Sequence, residues 1–169
     1  MVYQSVGVGF RLLSLCRAAN NALASDDGER SGMTNLHGSA VAFAGRGVLI
    51  LGASGSGKSA LALRLVRQGA ALVADDRVDL ERRGAALVAS APPALAGLIE
   101  VRGVGLLRLP AVPEAVVTLA IDLDRAPVAR MPHPVTVAWL GLEVELISGR
   151  DLPNLDPALT VLVQNGRAP

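Results

Sequence analysis

The chain has 169 residues, of which 51% are hydrophobic, and its formal net charge is +1. This length suits one domain, and the hydrophobic content excludes global disorder, which needs low hydrophobicity and high net charge. The charge leaves no basic field for nucleic acid or a membrane surface, and 2% aromatic residues are too few for a base-stacking platform.

Residues 1–35 are predicted to be a tail preceding the domain. One short helix is predicted over 8–19, and a polar linker over 25–32 follows it without any apolar period. Met33 stands just before the compact part, which suggests an over-extended reading frame. The domain itself is expected to span residues 36–169.

The cysteine content and the apolar stretches indicate where in the cell the protein is expected to work. A single cysteine, Cys16, excludes an internal disulfide and a cysteine-based zinc site. Charged residues also interrupt every apolar stretch that could approach transmembrane length. We therefore expect a protein of the reducing cytoplasm with no membrane partner.

From residue 39 onward, short apolar runs alternate with turns, which predicts a mixed α/β domain with a strand-rich second half. One helix is predicted over 58–68 and ended by Gly69, and another over 157–165 with Asp156 as its N-cap. A turn or short helix is expected over 124–134. The predicted strands are 39–44, 48–51, 71–75, 78–81, 85–89, 98–102, 104–109, 116–123 and two pieces of 135–147 on either side of Gly141.

A glycine-rich loop between the second predicted strand and the first helix matches the P-loop pattern G-x-x-x-x-G-K-[S/T]. Its glycines let backbone amides wrap a phosphate, the lysine reaches the β- and γ-phosphates, and the serine ligates Mg²⁺. Fifteen of the 16 basic residues are arginines, so the one lysine falls at the position where a compact charge is needed. The pattern predicts binding of a nucleoside triphosphate with Mg²⁺. Its residues are Gly52, Ala53, Ser54, Gly55, Ser56, Gly57, Lys58 and Ser59.

Two consecutive carboxylates, Asp75 and Asp76, end the strand that follows this helix. At the neighbouring strand end of a P-loop protein, such carboxylates hold Mg²⁺ or act as a base. The simpler alternative is a solvated turn.

Three segments together resemble the catalytic domain of the HPr kinase/phosphorylase family. They are the loop 52–59, the segment 72–78 (LVADDRV) and the segment 99–105 (IEVRGVG). The resemblance covers about residues 36–135 and looks like the short form of the family, without the separate N-terminal domain. It implies an α/β P-loop kinase domain of the HPr kinase/phosphoenolpyruvate carboxykinase-like type, with a mixed sheet and a central P-loop helix.

The resemblance also implies roles for single residues. Lys58 would be the P-loop active-site lysine, and Asp76 the proton acceptor for phosphorylation and the donor for dephosphorylation. His37, followed by Gly38, occupies the place of a family histidine, and Arg130 the place of an active-site arginine. Ser59 and Glu100 would bind Mg²⁺.

The implied reaction is transfer of the ATP γ-phosphoryl group to a serine of the phosphocarrier protein HPr, in a homo-oligomer, since the family forms hexamers. This chain departs from the long enzymes at Ala60, where they carry Glu. The long enzymes also have a C-terminal segment needed for phosphorolysis, and only residues 149–152 of this chain resemble it faintly. We therefore expect phosphorylation to dominate over dephosphorylation. Two alternatives stay open: a nucleotide-binding regulatory module without turnover, and a P-loop kinase for a small metabolite.

Overall fold

A strongly curled mixed sheet carries the fold in the computed structural model, which describes residues 32–167. Nine strands form it in the order β1-β5-β6-β9-β3-β2-β4, with β11 pairing to both β9 and β10, while β7 and β8 form a separate hairpin. The strands are β1 Met33–His37, β2 Ser39–Phe43, β3 Arg46–Leu51, β4 Ala71–Ala74, β5 Arg77–Arg83, β6 Ala86–Ser90, β7 Leu98–Val101, β8 Gly105–Arg108, β9 Glu114–Asp122, β10 Val135–Trp139 and β11 Leu142–Ser148.

Two α-helices occur within residues 32–167, α1 (Lys58–Arg67) and α2 (Leu155–Asn165), besides a short 3-10 helix at Pro93–Leu95. No helix in this range is long and apolar enough to cross a bilayer. Helix α1 packs on β2, β3, β4 and β7, and α2 packs on α1 and β2. Leu61 and Leu65 are fully buried at this contact because they lie one helical turn apart on the same face of α1.

The central strand β3 is buried on both faces, as its aliphatic sequence predicts. Val48 and Ile50 face the helices, whereas Leu49 and Leu51 join the core on the other side of the sheet. This alternation follows from the two-residue period of a strand. Two separate cores, one on each face, therefore hold the sheet.

The side chains of strand β9 switch from one face of the sheet to the other part way along the strand. Val117 packs in the core away from the helices, but Leu119 packs in the core beneath them. The pairing with β3 shifts register at this point, so that Gly47 lies opposite Val117 and Val48 opposite Leu119. One extra residue in β9 reverses which side chains face each core.

The carboxyl ends of several strands meet at one edge of the sheet. Strands β3, β9 and β11 run parallel, and β4 runs in the same direction because it and β3 are both antiparallel to β2. The glycine-rich loop after β3, Asp75 after β4 and the segment after β11 consequently lie on the same edge. In open α/β sheets this edge is where ligands bind.

The structure differs from the sequence-based expectations at two places. Strand β1 begins at Met33, before the boundary expected at residue 36, and pairs with β5. Only Leu36 of β1 is buried, so the segment carries no apolar alternation that would reveal a strand. Residues 124–134 contain turns and bends, which agrees with the turn expected there as one of two possibilities. The helix predicted over 8–19 lies outside the described residues.

The second difference is the start of α2. Asn154, in the left-handed region at φ 57°, is the N-cap, and the helix begins at Leu155. The predicted cap, Asp156, instead accepts a hydrogen bond from Gln68 Nε2 at 2.6 Å and lies 3.4 Å from Arg64 Nε. Pro157 is tolerated in the first turn, where backbone N–H groups have no intrahelical partner. The cap prediction was therefore wrong by two positions.

Candidate active site

The loop between β3 and α1 is shaped by glycine. Gly55 and Gly57 adopt φ values of 85° and 98°, a region that residues with a side chain rarely enter. A Cβ on Gly52 would lie only 2.5 Å from Ser56 Oγ, so the loop closes tightly on itself. The result is a cradle at the N-terminus of α1, where backbone amides and the helix dipole favour an anion.

Lys58 lies at the centre of this cradle. Its side chain is only 6% exposed, and its Nζ donates hydrogen bonds of 2.9 Å to the carbonyl oxygens of Gly52 and Ala53. Burial lowers the pKa of Lys58 from its ordinary value of 10.5, and the negative charges of Asp124, Asp75 and Asp76 oppose that shift. Because an ammonium has three N–H groups, one remains for a ligand in the cradle.

Asp75 and Asp76 occupy different environments although they are adjacent in sequence. Asp75 is buried, and its Oδ1 accepts hydrogen bonds from Ser39 Oγ at 2.5 Å and Ser59 Oγ at 2.9 Å. Its Oδ2 accepts a third from the backbone N–H of Glu100 at 3.3 Å. Asp75 therefore fixes the Ser59 hydroxyl and the start of the β7–β8 hairpin relative to the loop.

Asp76 is the exposed member of the pair, with 67% of its side chain accessible and a left-handed φ of 67°. His37 Nδ1 donates to the Asp76 carbonyl oxygen at 3.0 Å and lies 3.3 Å from its Oδ1. The backbone N–H of Gly38 donates to the same carbonyl at 3.2 Å. These contacts hold an accessible carboxylate in place beside the loop.

A cleft of about 520 Å³ opens beside the loop and brings the predicted residues together. Much of the loop and Arg64 of α1 contribute to its wall. Its lining includes His37, Lys58, Ser59, Asp76 and Glu100.

Of the four residues with a predicted catalytic role, Arg130 alone lies outside the cleft. It is exposed in the connection between β9 and β10 and does not line the cleft. Arg102 lies there instead, with its guanidinium 3.6 Å from the position that a Cβ on Gly55 would occupy. Arg102 belongs to the segment 99–105 that carries the family resemblance, but no role was predicted for it by itself.

Ser39 was missed by the sequence analysis. It is fully buried at the start of β2, and its hydroxyl is held by Asp75. The available signal was a polar residue at the start of an apolar strand, directly after His37 and Gly38. A buried hydroxyl there needs a hydrogen-bond partner.

The donor set in the cleft suits magnesium. No group of three or more His, Cys, Asp or Glu side chains within residues 32–167 forms a ready-made metal cage. Mg²⁺ does not need one, because it is usually held by one or two carboxylates together with substrate phosphates and water. The Ser59 hydroxyl and the Glu100 carboxylate, which line the same cleft, supply such oxygen donors.

Comparison with known proteins gives concordant matches. The family model described as HPr Serine kinase C-terminal domain matches residues 29–113, which is half of the chain. The HPr kinase/phosphorylase of Clostridium acetobutylicum is 46% identical over 78 residues, covering 46% of this chain and 26% of that protein. The protein of the same name from an Exiguobacterium species is 49% identical over 80 residues, covering 47% of this chain and 26% of the relative.

A solved structure extends the likeness to most of the fold. The HPr(Ser) kinase/phosphatase from Coxiella burnetii superposes with a TM-score of 0.70 at 31% sequence identity, covering 78% of this chain and 95% of the other. The chain spans only about a quarter of the length of the curated relatives named above.

Proposed function

The chain belongs to the HPr serine kinase C-terminal domain family, and we propose on that premise that it transfers the γ-phosphoryl group of ATP to a serine hydroxyl of HPr. The observation that carries the proposal is the convergence of a phosphate cradle and an exposed, anchored carboxylate in one cleft. The cradle supplies the donor end of a phosphoryl transfer, and the carboxylate supplies the acceptor end.

The P-loop holds the phosphates in this proposal. Lys58 keeps two of its N–H groups on the loop carbonyls of Gly52 and Ala53 and directs the remaining one at the transferred group. The amides of the loop and of the first turn of α1 bind the other oxygens. This division of roles restrains the lysine, so little side-chain entropy is lost when the nucleotide binds.

Ser59 and Glu100 would hold Mg²⁺. When bound, the ion offsets the negative charge on the β- and γ-phosphate oxygens. Because the Ser59 hydroxyl donates a hydrogen bond to Asp75, the lone pairs of its oxygen are free to face a cation. Asp75 thus acts as a positioning residue, and Ser39 holds Asp75 in turn.

Asp76 is proposed as the base that takes the serine proton as the oxygen attacks in line. Its exposure lets a serine presented by a second protein reach it, and His37 fixes its orientation. Arg102, which lies over Gly55, is placed to offset charge that develops during transfer. Within a single chain, Arg102 therefore takes the role that the sequence suggested for Arg130.

We also propose a cytoplasmic homo-oligomer in which the forward reaction dominates. Exposed apolar side chains support assembly, among them Val104 and Leu106 of the β7–β8 hairpin region and Val128 and Met131 in the β9–β10 connection. The short segment 149–152 is all that corresponds to the C-terminal element tied to phosphorolysis in the long enzymes.

The direct test is incubation with γ-labelled ATP, Mg²⁺ and HPr. We expect label on a serine of HPr and none on a variant of HPr in which that serine is replaced by alanine. Tight ATP binding without label transfer would instead favour a regulatory module. Label on small metabolites but not on HPr would favour the metabolite kinase.

The titration of Lys58 gives an independent test, since a protein with one lysine yields a single resonance after labelling of lysine at Cε. In the free protein we expect the midpoint below 10.5, because burial disfavours the ammonium. Polyphosphate favours the ammonium, so adding Mg-ATP should raise the midpoint, and the nucleotide should bind less tightly as the pH rises through it. A midpoint at or above 10.5 in the free protein, or one that ATP does not move, contradicts this placement of the lysine.

A further inference from the structure

Asp124 is an exposed residue in the turn after β9, and its carboxylate contacts the glycine-rich loop. Its Oδ2 accepts a hydrogen bond of 2.8 Å from the backbone N–H of Ala53. Two cavities flank the start of α1, the catalytic cleft and a second one of about 260 Å³ beside the β11–α2 connection, and Asp124 lines neither. Any part that Asp124 has in the reaction is therefore exerted through the loop.

The hydrogen bond from Ala53 holds the peptide group between Gly52 and Ala53. A trans peptide group is planar, so its N–H and its C=O point in opposite directions. Asp124 holds the N–H, and Lys58 Nζ donates to the Gly52 carbonyl oxygen on the other side at 2.9 Å. One rigid peptide group therefore connects the carboxylate of Asp124 to the ammonium of Lys58.

Glycine gives this part of the loop a freedom that the hydrogen bond removes. Gly52 has a φ of 145°, in a region that glycine enters readily and other residues rarely. Rotation of the following peptide group would carry the Gly52 carbonyl away from Lys58. It would also displace the next carbonyl, of Ala53, which accepts hydrogen bonds from Lys58 Nζ at 2.9 Å and from the backbone N–H of Ser56 at 3.1 Å. Asp124 consequently restrains both carbonyl groups that orient the lysine.

The turn that carries Asp124 is itself anchored to the sheet. Asp122 is buried, and its Oδ1 accepts a hydrogen bond from the backbone N–H of Asp124 at 2.9 Å. Its Oδ2 lies 3.0 Å from Arg125 Nε. The backbone N–H of Leu123 donates to Leu51 O at 3.0 Å, at the end of β3. The turn is thus fixed to the strand from which the glycine-rich loop begins.

The charge of Asp124 supports the same role. Among Asp124, Asp75 and Asp76, it exerts the largest electrostatic attraction on Lys58. A carboxylate that accepts from an amide N–H also polarises the peptide group, which makes the carbonyl on the other side a better acceptor for the ammonium. The hydrogen bond and the charge therefore both favour the observed position of Lys58.

We propose that Asp124 is a positioning residue for phosphoryl transfer, which fixes the peptide group between Gly52 and Ala53 and thereby the ammonium of Lys58. The inference rests on the proposed function and adds to it a residue that lies outside the three segments that resemble the family. The lysine must be held in place while the phosphoryl group moves. The loss of Asp124 should therefore lower kcat more than it raises the KM for ATP.

The first experiment measures initial rates of HPr phosphorylation over a range of ATP concentrations. In Asp124→Ala, kcat should fall by at least about tenfold, the effect of losing one hydrogen bond to a charged group, and the KM for ATP should rise less than about threefold. Asp124→Asn keeps an oxygen that can accept from Ala53 and should retain kcat within about fivefold. Glu143→Ala removes an exposed carboxylate of β11 that lines neither cavity, and this matched control should behave as wild type.

A double-mutant cycle shows whether Asp124 acts through Lys58. In a Lys58→Ala background, Asp124→Ala should lower the rate by less than about twofold, because residues that act together are not additive. The full loss in that background would overturn the inference, as would wild-type kcat in Asp124→Ala. Tighter ATP binding with undiminished kcat would show that the carboxylate only repels phosphate, and would also overturn it.

A measurement without turnover separates this inference from the proposed function. The single lysine, labelled at Cε, gives one resonance whose relaxation reports the order of its side chain. The side chain should be more mobile in Asp124→Ala than in wild type or Asp124→Asn. Equal order in all three proteins would overturn the positioning role even if HPr is phosphorylated. Wild-type protein that phosphorylates no HPr, but whose lysine is released by Asp124→Ala, would overturn the proposed function and leave the contact with Lys58 supported.

Discussion

Replacing Lys58 with alanine should lower phosphoryl transfer by several orders of magnitude and weaken ATP binding. The side chain is the only lysine in the chain, and it lies in the phosphate cradle with two N–H groups already held by loop carbonyls. Its loss removes a preorganised cation from a partly desolvated site, where one such group is worth roughly 10²–10³ in rate even before binding is counted. Initial rates with labelled ATP and HPr, together with calorimetric ATP binding, measure the effect.

Two further variants make the Lys58 result specific. Lys58→Arg should also fail, because a planar guanidinium cannot reproduce a compact charge enclosed by the carbonyls of Gly52 and Ala53. Arg67→Ala removes an exposed cation of the same helix that lines neither cavity, and should leave turnover unchanged. Near-normal turnover by Lys58→Ala, with a thermal unfolding transition like that of wild type, would show that the P-loop interpretation is wrong.

Local features of the sequence predicted the glycine-rich loop and helix α1 well. Gly55 and Gly57 have positive φ values, which only glycine adopts freely. Glycine at these positions of the sequence therefore indicates the backbone conformation of the loop. The spacing of Leu61 and Leu65 predicts which face of the helix is buried. The sheet strands around them were predictable for the same reason, because burial on one or both faces leaves a local pattern of apolar residues.

Features that depend on distant partners were not predictable. Asp75 and Asp76 differ because Ser39, 36 residues away in sequence, begins the neighbouring strand β2 and hydrogen-bonds Asp75 only. The N-cap of α2 was predicted wrongly, because the carboxylate of Asp156 contacts Gln68 and Arg64 of the other helix rather than the start of its own helix. The identity of the arginine at the cleft likewise follows from how the β7–β8 hairpin lies over the loop, which Asp75 secures through the N–H of Glu100.

The geometry of the sheet edge explains why these distant residues meet. Because β3 and β4 run in the same direction, their carboxyl ends place the cradle and Asp75 next to each other, and β2 begins at that edge with Ser39. The result is two carboxylates with opposite properties, one buried and fully hydrogen-bonded, the other exposed. The exposed one is suited to proton transfer and the buried one to holding other groups in place.

Asp76→Asn should separate proton transfer from nucleotide binding. The amide keeps the size of the side chain but cannot take a proton, so serine phosphorylation should fall by roughly 10²–10⁴, the usual range for a lost general base. ATP binding should survive, because Lys58, Ser59 and Glu100 are unchanged. Asp79→Asn is the matched control, since Asp79 accepts a hydrogen bond from Asn35 on β1 and does not line the cleft.

Dephosphorylation completes the argument about Asp76. Phosphorolysis breaks the same serine O–P bond that phosphorylation forms, with inorganic phosphate as the acceptor and pyrophosphate as the product, so the serine oxygen must regain a proton. The group that takes this proton during phosphorylation is placed to return it, so Asp76→Asn should depress pyrophosphate release and phosphorylation by similar factors. In wild-type protein we expect little pyrophosphate, because only the segment 149–152 corresponds to the element tied to phosphorolysis. Efficient pyrophosphate release would refute a reaction that runs mainly forward, and Asp76→Asn with undiminished phosphorylation would exclude Asp76 as the base and direct attention to its neighbour His37.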